Sequence, residues 1–158
     1  MPNDAPANAP LQMEFSVELK APQEQVFAFI SDFSRLPEWM PTLSRVDVDN
    51  THAQTPGGVG AVRQIRSPGG KRTYETVKRF EPPSVLAYSA SDASLMGMYT
   101  NHLGVLTCEP VGNGHTRFRW LVYATPARSA FMRVVGKQMF SWILGRSVKN
   151  LQKRFGSQ

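Results

Sequence analysis

The longest regular pattern of apolar and polar residues lies at the C-terminal end of the chain. From Arg128 to Phe155 there is no proline and most residues favour a helix, which would be roughly 40 Å long. Its second half carries an apolar stripe at helical spacing, formed by Phe140, Leu144, Val148, Leu151 and Phe155. Its first half carries a stripe on another side, formed by Met132, Val135, Met139, Trp142 and Ile143. The pattern predicts a helix whose buried face changes side near Gly145. Either the helix bends at Gly136 or Gly145, or its first half is covered on two sides.

Two shorter helices are predicted near the start of the chain. Residues 14–20 alternate apolar and polar side chains, which is typical of a half-buried strand. Pro22 then opens a helix that runs to Phe33, at a position where its missing N–H removes no hydrogen bond. A second helix, residues 34–40, ends before Pro41.

Between these helices and the long one, the chain reads as strands separated by turns. Clusters of glycine, proline and asparagine mark the turns, among them Pro68-Gly69-Gly70 and Gly112-Asn113-Gly114. The predicted strands are 46–48, 60–67, 71–80, 85–91, 98–109 and 116–124. With the first strand this makes about seven antiparallel strands, and we expect an α+β fold in which a curved sheet wraps around the long helix.

Length and composition indicate one domain. The 158 residues, of which 41% are hydrophobic and 19% charged, suffice for a single buried core. We expect a disordered tail at residues 1–12, rich in Pro, Ala and Asn, followed by one domain at 13–156. The tail does not resemble a signal peptide, and no run reaches the ~18 apolar residues of a membrane span. The single cysteine, Cys108, permits no internal disulfide, so we expect a cytoplasmic location.

The chain is basic, with a net charge of +6, and seven of its eighteen Lys and Arg residues follow Ala127. Such an excess raises the question of nucleic acid, but no nucleic-acid motif is present and the aromatic residues occupy core-like positions. We therefore expect no nucleic-acid partner. A solvated basic face is the simpler interpretation, and peripheral contact with an anionic membrane is a further possibility.

Several runs resemble the START-like superfamily, also called SRPBCC or polyketide cyclase/dehydrase and lipid transport proteins. They are APQEQVFAFISDFSRLPEWMP at 21–41, VGAVRQIR at 59–66, VKRFEPPSVLAYS at 77–89 and LTCEPVGNGHTRFRWLVYATP at 106–126. The resemblance implies a helix-grip fold: an antiparallel sheet wrapped on the C-terminal helix, two short helices after the first strand, and an apolar cavity between sheet and helix. Such proteins bind lipids, sterols, quinones, hormones or polyketide intermediates, and a minority are enzymes.

Strand parity predicts which polar residues enter such a cavity. If Leu106 and Cys108 face inward, Thr100 and His102 on the same strand do so as well. His102 is the favoured polar residue, because it could orient a ligand carbonyl or act as a general base. It is the one candidate for catalysis, and the alternative is a histidine that is hydrogen-bonded within the cavity wall.

Tyr88 and the strand 60–67 supply further polar candidates. Tyr88 could place its hydroxyl in the cavity. Polar residues stand on both faces of the strand, so either Gln64 and Arg66 or, alternatively, Arg63 would face a ligand. A buried arginine would suit a ligand carboxylate or phosphate.

Apolar residues complete the predicted ligand-binding set. Those on the short helices and the last strand are Phe27, Ile30, Trp39 and Trp120. Those on the long helix are Phe131, Val135, Met139 and Trp142. The stripe on the long helix has two other interpretations, which are exposure as a dimer or membrane contact and burial in the core.

The sequence shows no pattern typical of a metal site or of a phosphate-binding loop. His52, His102 and His115 show no metal-ligand spacing with one another or with Cys108, so we expect no metal and no cofactor. Gly57-Gly58-Val59-Gly60 is not followed by the helix and Lys-Ser/Thr of a phosphate loop.

Three hypotheses follow, in order of preference. The first is a carrier or sensor that binds a hydrophobic small molecule of lipid, quinone or aromatic polyketide type. The second is a cyclase/dehydrase-like enzyme in which His102 assists enolisation. The third is a domain that docks on a membrane or a partner through the basic helix, and the protein is expected to be a monomer or a homodimer.

Overall fold

A computed structural model of the protein describes residues 9–156. Its sheet contains seven antiparallel strands in the spatial order β1-β7-β6-β5-β4-β3-β2. The strands are β1 (Leu11–Leu19), β2 (Arg45–Asp49), β3 (Val62–Arg66), β4 (Arg72–Glu81), β5 (Val85–Ala90), β6 (Tyr99–Gly112) and β7 (His115–Pro126). The helices are α1 (Gln23–Ser31), α2 (Leu36–Trp39) and α3 (Ala130–Phe155), and short 3-10 turns lie at Phe33–Arg35 and Asp92–Leu95. The predicted α+β helix-grip architecture is confirmed.

The first strand begins earlier than the sequence suggests. β1 starts at Leu11, inside the tail predicted at 1–12, because Leu11 pairs with Tyr123 and the Ala124 N–H donates to the Pro10 carbonyl. Residues 1–8 lie outside the described part of the chain, so the expected disorder there stays a prediction.

The core lies where α1, α2 and the second half of α3 pack on the inner face of the sheet. Trp39 of α2 contacts Trp120 of β7, with ring centroids 5.6 Å apart. The Asn150 side chain of α3 donates a hydrogen bond of 3.0 Å to the Trp39 carbonyl, which ties the two helices together. Leu144, Val148 and Leu151 face this core, as the second apolar stripe predicts.

The first half of α3 departs from the prediction. The helix continues through both Gly136 and Gly145, and its outer side is open, so the expected second cover is absent among the described residues. Gly136 is buried because α3 approaches the start of β6 there; a Cβ on it would lie 3.0 Å from Met98 Cβ. At that point the helix backbone lies directly against the Met98 and Tyr99 side chains, while Met132 and Met139 pack, partly buried, against the core.

The register of two strands decides which side chains face α3. On β3, Arg63 and Ile65 are buried on the inner face, which settles the parity that the sequence left open. On β6, the pairing with β7 is irregular between Thr100 and Leu103, and Asn101 has a positive φ of 53°. This irregularity breaks the alternation that placed Thr100 and His102 on one face.

Candidate functional site

A cavity of about 230 Å³ lies between the inner face of the sheet and the middle of α3. Its walls are mostly apolar, with a few polar groups contributed by the strands. The sheet lines it with Ile65, Ser67, Lys71, Thr73, Glu75, Tyr88, Ala90, His102 and Val122. The α2–β2 connection adds Met40, Thr42 and Leu43, the Asp92–Leu95 region adds Ser94, Leu95 and Met96, and α3 adds Met139, Phe140, Ile143 and Leu144.

A buried ion pair stands beside the cavity. Arg63 is 2% exposed, and its Nη2 donates to Oε2 of Glu75, which is the member of the pair that lines the cavity. The Arg63 guanidinium lies over the rings of Phe33 and Tyr88, 4.7 and 4.3 Å from their centroids. A buried guanidinium keeps its charge and needs a counterion, which the Glu75 carboxylate supplies.

Tyr88 has room in the sheet because its cross-strand partner has no side chain. Tyr88 pairs with Gly104, and a Cβ on Gly104 would lie 2.5 Å from Tyr88 Cζ. Burial, and then the Glu75 charge, raise the pKa of Tyr88 above its usual range. The phenol therefore stays protonated.

His102 is oriented by the backbone of the neighbouring strand. Its Nδ1 accepts the Ala90 N–H at 3.0 Å, and its ring lies 5.5 Å from that of Tyr88. A ring nitrogen that accepts a hydrogen bond carries no proton, so Nε2 carries it in the neutral imidazole. Burial first, and the Arg63 charge second, lower the pKa of His102 from 6.5 to about 4. Near neutral pH His102 is thus a neutral donor through Nε2.

A second cationic side chain, Lys71, lies at the edge of the cavity. Its Nζ donates a 3.0 Å hydrogen bond to the Ser94 carbonyl, and burial lowers its pKa. This contact links β4 to the Asp92–Leu95 turn, so Lys71 helps to position one lip of the cavity.

The structure brings together only some of the predicted ligand-binding residues. Tyr88, His102 and Met139 line the cavity. Phe27, Ile30, Trp39 and Trp120 are buried in the core next to it and are not among its lining residues.

Six other candidates are directed away from the cavity. Gln64 and Arg66 lie on the outer face of β3, where Arg66 Nη2 is 3.6 Å from Asp47 Oδ2. Thr100 is exposed because of the irregularity in β6. The remaining three project from the outer side of α3, against which no other part of residues 9–156 packs; they are Phe131, Val135 and Trp142.

Sequence reasoning left several cavity residues out of its candidate set. Glu75 is one of them, and its inward position follows from its pairing with Ala90. Ala90 has no chemical signature and matters because its small side chain leaves space. The sequence does contain one indication: Glu75 lies between Thr73 and Val77 on the same face of β4, and a charged residue in an inward-facing row indicates a site.

The outer side of α3 forms a surface of mixed character, here called the α3 stripe. Its first part is apolar, with Phe131 74% and Trp142 61% exposed and Val135 between them. The same line along the helix continues with exposed Arg146, Lys149 and Lys153. No Asp or Glu occurs in α3. Met139, which is one helical turn from both Val135 and Trp142, and Ile143, which follows Trp142, line the cavity, so the stripe borders the cavity.

Reactive groups other than these are not apparent in the described residues. Cys108 is buried, and burial raises the pKa of its thiol to about 12, as expected for a core residue. Within residues 9–156, no cluster of three or more His, Cys, Asp or Glu side chains could hold a metal ion. None of the described helices is long and apolar enough to cross a membrane.

Comparison with known proteins gives a family and a fold. Residues 10–156 match the family described as polyketide cyclase/dehydrase and lipid transport. Protein XoxI from Bacillus cereus superposes with a TM-score of 0.72 at 25% identity, over 90% of this chain and 94% of that chain. Norcoclaurine synthase from Thalictrum flavum, in complex with dopamine and hydroxybenzaldehyde, gives 0.68 at 13% identity, over 92% and 86%. The second likeness shows the fold alone, and among curated proteins no sequence matches.

Proposed function

Because the chain belongs to the polyketide cyclase/dehydrase and lipid transport family, we propose that it binds a compact hydrophobic molecule between its sheet and α3, as a carrier or a sensor. The cavity carries this proposal: its walls are mostly apolar, and three of its polar side chains, Glu75, Tyr88 and His102, come from adjacent strands. Ligand sites in proteins have this composition, in which apolar walls supply affinity and a few polar groups fix the orientation.

The volume of the cavity favours a compact ligand. About 230 Å³ is less than the roughly 300–1,000 Å³ of pockets that hold drug-sized molecules. A bicyclic aromatic molecule suits this volume better than a sterol or a long-chain lipid. Met40, Met96 and Met139 line the cavity and can adapt to the shape of a flexible ligand.

A cyclase/dehydrase-like enzyme is the second candidate, because two side chains that can transfer a proton, Glu75 and His102, face the same cavity. A general base needs a free nitrogen, however, and Nδ1 of His102 is occupied by the Ala90 N–H. The low pKa of His102 also makes it a weak base. These two features favour orientation of a ligand over proton abstraction at His102, and they leave Glu75 as the available base in an enzyme.

Native mass spectrometry and calorimetry test the binding proposal. We expect freshly purified protein to release a small apolar mass on organic extraction, and the emptied protein to bind ethylnaphthalene. Ala90→Leu, which places a larger side chain in the cavity, should weaken this binding about tenfold or more. Gln138→Leu on the exposed side of α3 is the matched control. Equal affinity in wild type and Ala90→Leu, or no binding at all, would refute the proposal.

A carrier must exchange its ligand, and the α3 stripe favours exchange at an anionic membrane. Exposed Phe131 and Trp142 suit the interface of a bilayer, and Arg146, Lys149 and Lys153 suit its negatively charged headgroups. The stripe borders the cavity, so a membrane contact there would face the ligand directly.

Sedimentation with vesicles tests this contact. We expect binding to vesicles that contain phosphatidylserine, weaker binding to pure phosphatidylcholine, and loss of binding in Phe131→Gln/Trp142→Gln. Tyr74→Gln removes an exposed aromatic residue from the sheet and should leave binding unchanged. Absence of vesicle binding, together with a dimer that the double variant abolishes, would assign the stripe to a second copy of the chain instead.

A further inference from the structure

A row of three residues, Glu75, Ala90 and His102, crosses the inner face of the sheet. Glu75 of β4 pairs with Ala90 of β5, and the Ala90 N–H donates to His102 of β6. Glu75 and His102 are thus two strands apart, roughly 10 Å between Cα atoms, with the small Ala90 between them. All three residues line the cavity. A ligand that lies over Ala90 therefore has Glu75 on one side and His102 on the other.

The Glu75 carboxylate can only accept hydrogen bonds. Its Oε2 is occupied by Arg63, whereas no donor among residues 9–156 contacts its Oε1. The Arg63 charge is matched by this carboxylate, so the pair as a whole offers no net positive charge to a ligand. The ion pair therefore argues against a ligand carboxylate or phosphate at Arg63.

His102, in contrast, can only donate. Nδ1 is taken by the Ala90 N–H, the neutral ring carries its proton on Nε2, and no acceptor within the described residues contacts Nε2. The two residues therefore require complementary ligand groups. Glu75 needs a hydrogen-bond donor such as a hydroxyl group, and His102 needs an acceptor with a lone pair.

We infer that the cavity selects neutral molecules that carry both a hydroxyl group, which donates to Glu75 Oε1, and a carbonyl-type oxygen, which accepts from His102 Nε2. The inference rests on the proposed function, since it specifies the ligand of the same cavity. Phenolic or enolic ketones satisfy both sides. A carboxylate placed over Ala90 would face the Glu75 charge, because Lys71, a cation that also lines the cavity, is held at its edge by the Ser94 carbonyl. A purely hydrocarbon ligand would leave both polar groups unpaired.

Calorimetry with four probes tests the inference on the full chain. The probes are a meta-acetylnaphthol, its methyl ether, the matching ethylnaphthol and ethylnaphthalene. We expect the acetylnaphthol to bind most tightly. The methyl ether should bind about tenfold more weakly, because it has lost the donor to a charged acceptor, and the ethylnaphthol about fivefold more weakly, because it has lost the acceptor.

Protein variants assign each preference to its residue. Arg63→Met/Glu75→Leu removes both members of the ion pair together and leaves no uncompensated charge; it should make the naphthol and its ether equal in affinity. His102→Phe should make the ketone and its ethyl analogue equal. Gln64→Leu, on the outer face of β3 next to Arg63, should leave both ratios unchanged.

The outcomes separate this inference from the function on which it rests. If all four probes bind wild-type protein with equal affinity, the inference is overturned while cavity binding stands. If ethylnaphthalene and the three polar probes all fail to bind, both are overturned. The wild-type series decides these cases by itself, so the result does not depend on the folding of any variant.

Discussion

His102 shows how a single backbone hydrogen bond determines what a side chain can do. The Ala90 N–H holds Nδ1, so protonation of the ring would break that bond and place a charge in a buried site near Arg63. Glu75 is restricted in the opposite sense, since one oxygen of its carboxylate accepts from Arg63 and the other can only accept as well. Two contacts, Ala90 N–H with His102 and Arg63 with Glu75, therefore determine which hydrogen bonds these side chains can offer a ligand.

The depressed pKa of His102 predicts a specific loss of stability in acid. In the unfolded chain His102 titrates near 6.5, whereas in the folded protein its pKa is about 4. Between these values the unfolded state binds more protons, so stability is complete above the unfolded pKa and falls as the pH decreases toward the folded one. Lowering the pH from about 7 to about 5 should cost wild type on the order of 1–2 kcal/mol more than His102→Asn.

Urea denaturation at each pH measures this difference. Asparagine can still accept the Ala90 N–H but does not titrate, which makes it the matched control. Parallel loss of stability in the two proteins would show that other groups cause the acid sensitivity.

Gly104 is predicted to be essential for the position of Tyr88. Gly104→Ala would force the Tyr88 ring away from β6, at a cost of about 1–3 kcal/mol in the free energy of unfolding. Gly69→Ala is the control, because no atom lies within 4 Å of a Cβ added there. Chemical denaturation compares the variants, and an unaltered stability of Gly104→Ala would contradict the close approach of the two strands.

Among the secondary-structure elements, α3 combines two functions in one continuous helix. Its second half packs on the core through Leu144, Val148 and Leu151. Its first half has one buried residue, Gly136, and Ser129 caps its N-terminus by accepting the Met132 N–H at 3.4 Å. Stability along the helix is therefore uneven, and the less stable part lies beside the cavity.

Amide hydrogen exchange should resolve the two halves of α3. We expect residues 131–138 to exchange about tenfold or more faster than residues 146–155, because fewer apolar contacts are lost when the first half opens. Saturating ethylnaphthalene should slow exchange near Met139, which lines the cavity. Uniform protection along the helix would exclude its first half as the route by which a ligand enters.

At the level of the whole molecule, the two features that bear on function are the basic charge and the cavity. The net charge is +6, and no acidic residue follows Glu109, so the basic excess is concentrated in β7 and α3. Neither feature contributes to the fold itself, which rests on the core beneath α1, α2 and the second half of α3. The cavity between the sheet and α3 can therefore hold a ligand without being needed for the packing of the core.

Ligand binding should be visible as a change in global stability. At about a hundredfold excess over its Kd, ethylnaphthalene should add about 2.7 kcal/mol to the free energy of unfolding, because it binds the folded state alone. For a chain of this size the Tm would rise by roughly 5–10 °C. Scanning calorimetry measures the shift, which Ala90→Leu should abolish and Gln138→Leu should retain. An unchanged Tm in wild type would contradict a preformed cavity.

The sequence predicted the fold better than the site, for reasons that specific residues illustrate. The alternation in β1 and the stripe at Leu144, Val148 and Leu151 reflect burial on one face, and periodicity reports that directly. β3 carries polar residues on both faces, so its parity needed the neighbouring strands. On β6 the irregularity at Asn101 separated Thr100 from His102, and no composition signal marks such a break.

The sequence by itself determined the order of the elements, the helix-grip architecture and the basic character of α3, because these depend on local periodicity and composition. The tertiary structure decided which polar groups share the cavity. Glu75 and His102 flank Ala90 only through the pairing of β4, β5 and β6. Phe131 and Trp142 are exposed because no element within the described residues covers that side of α3. Contacts between residues far apart in the chain set these positions, and no pattern within one segment records them.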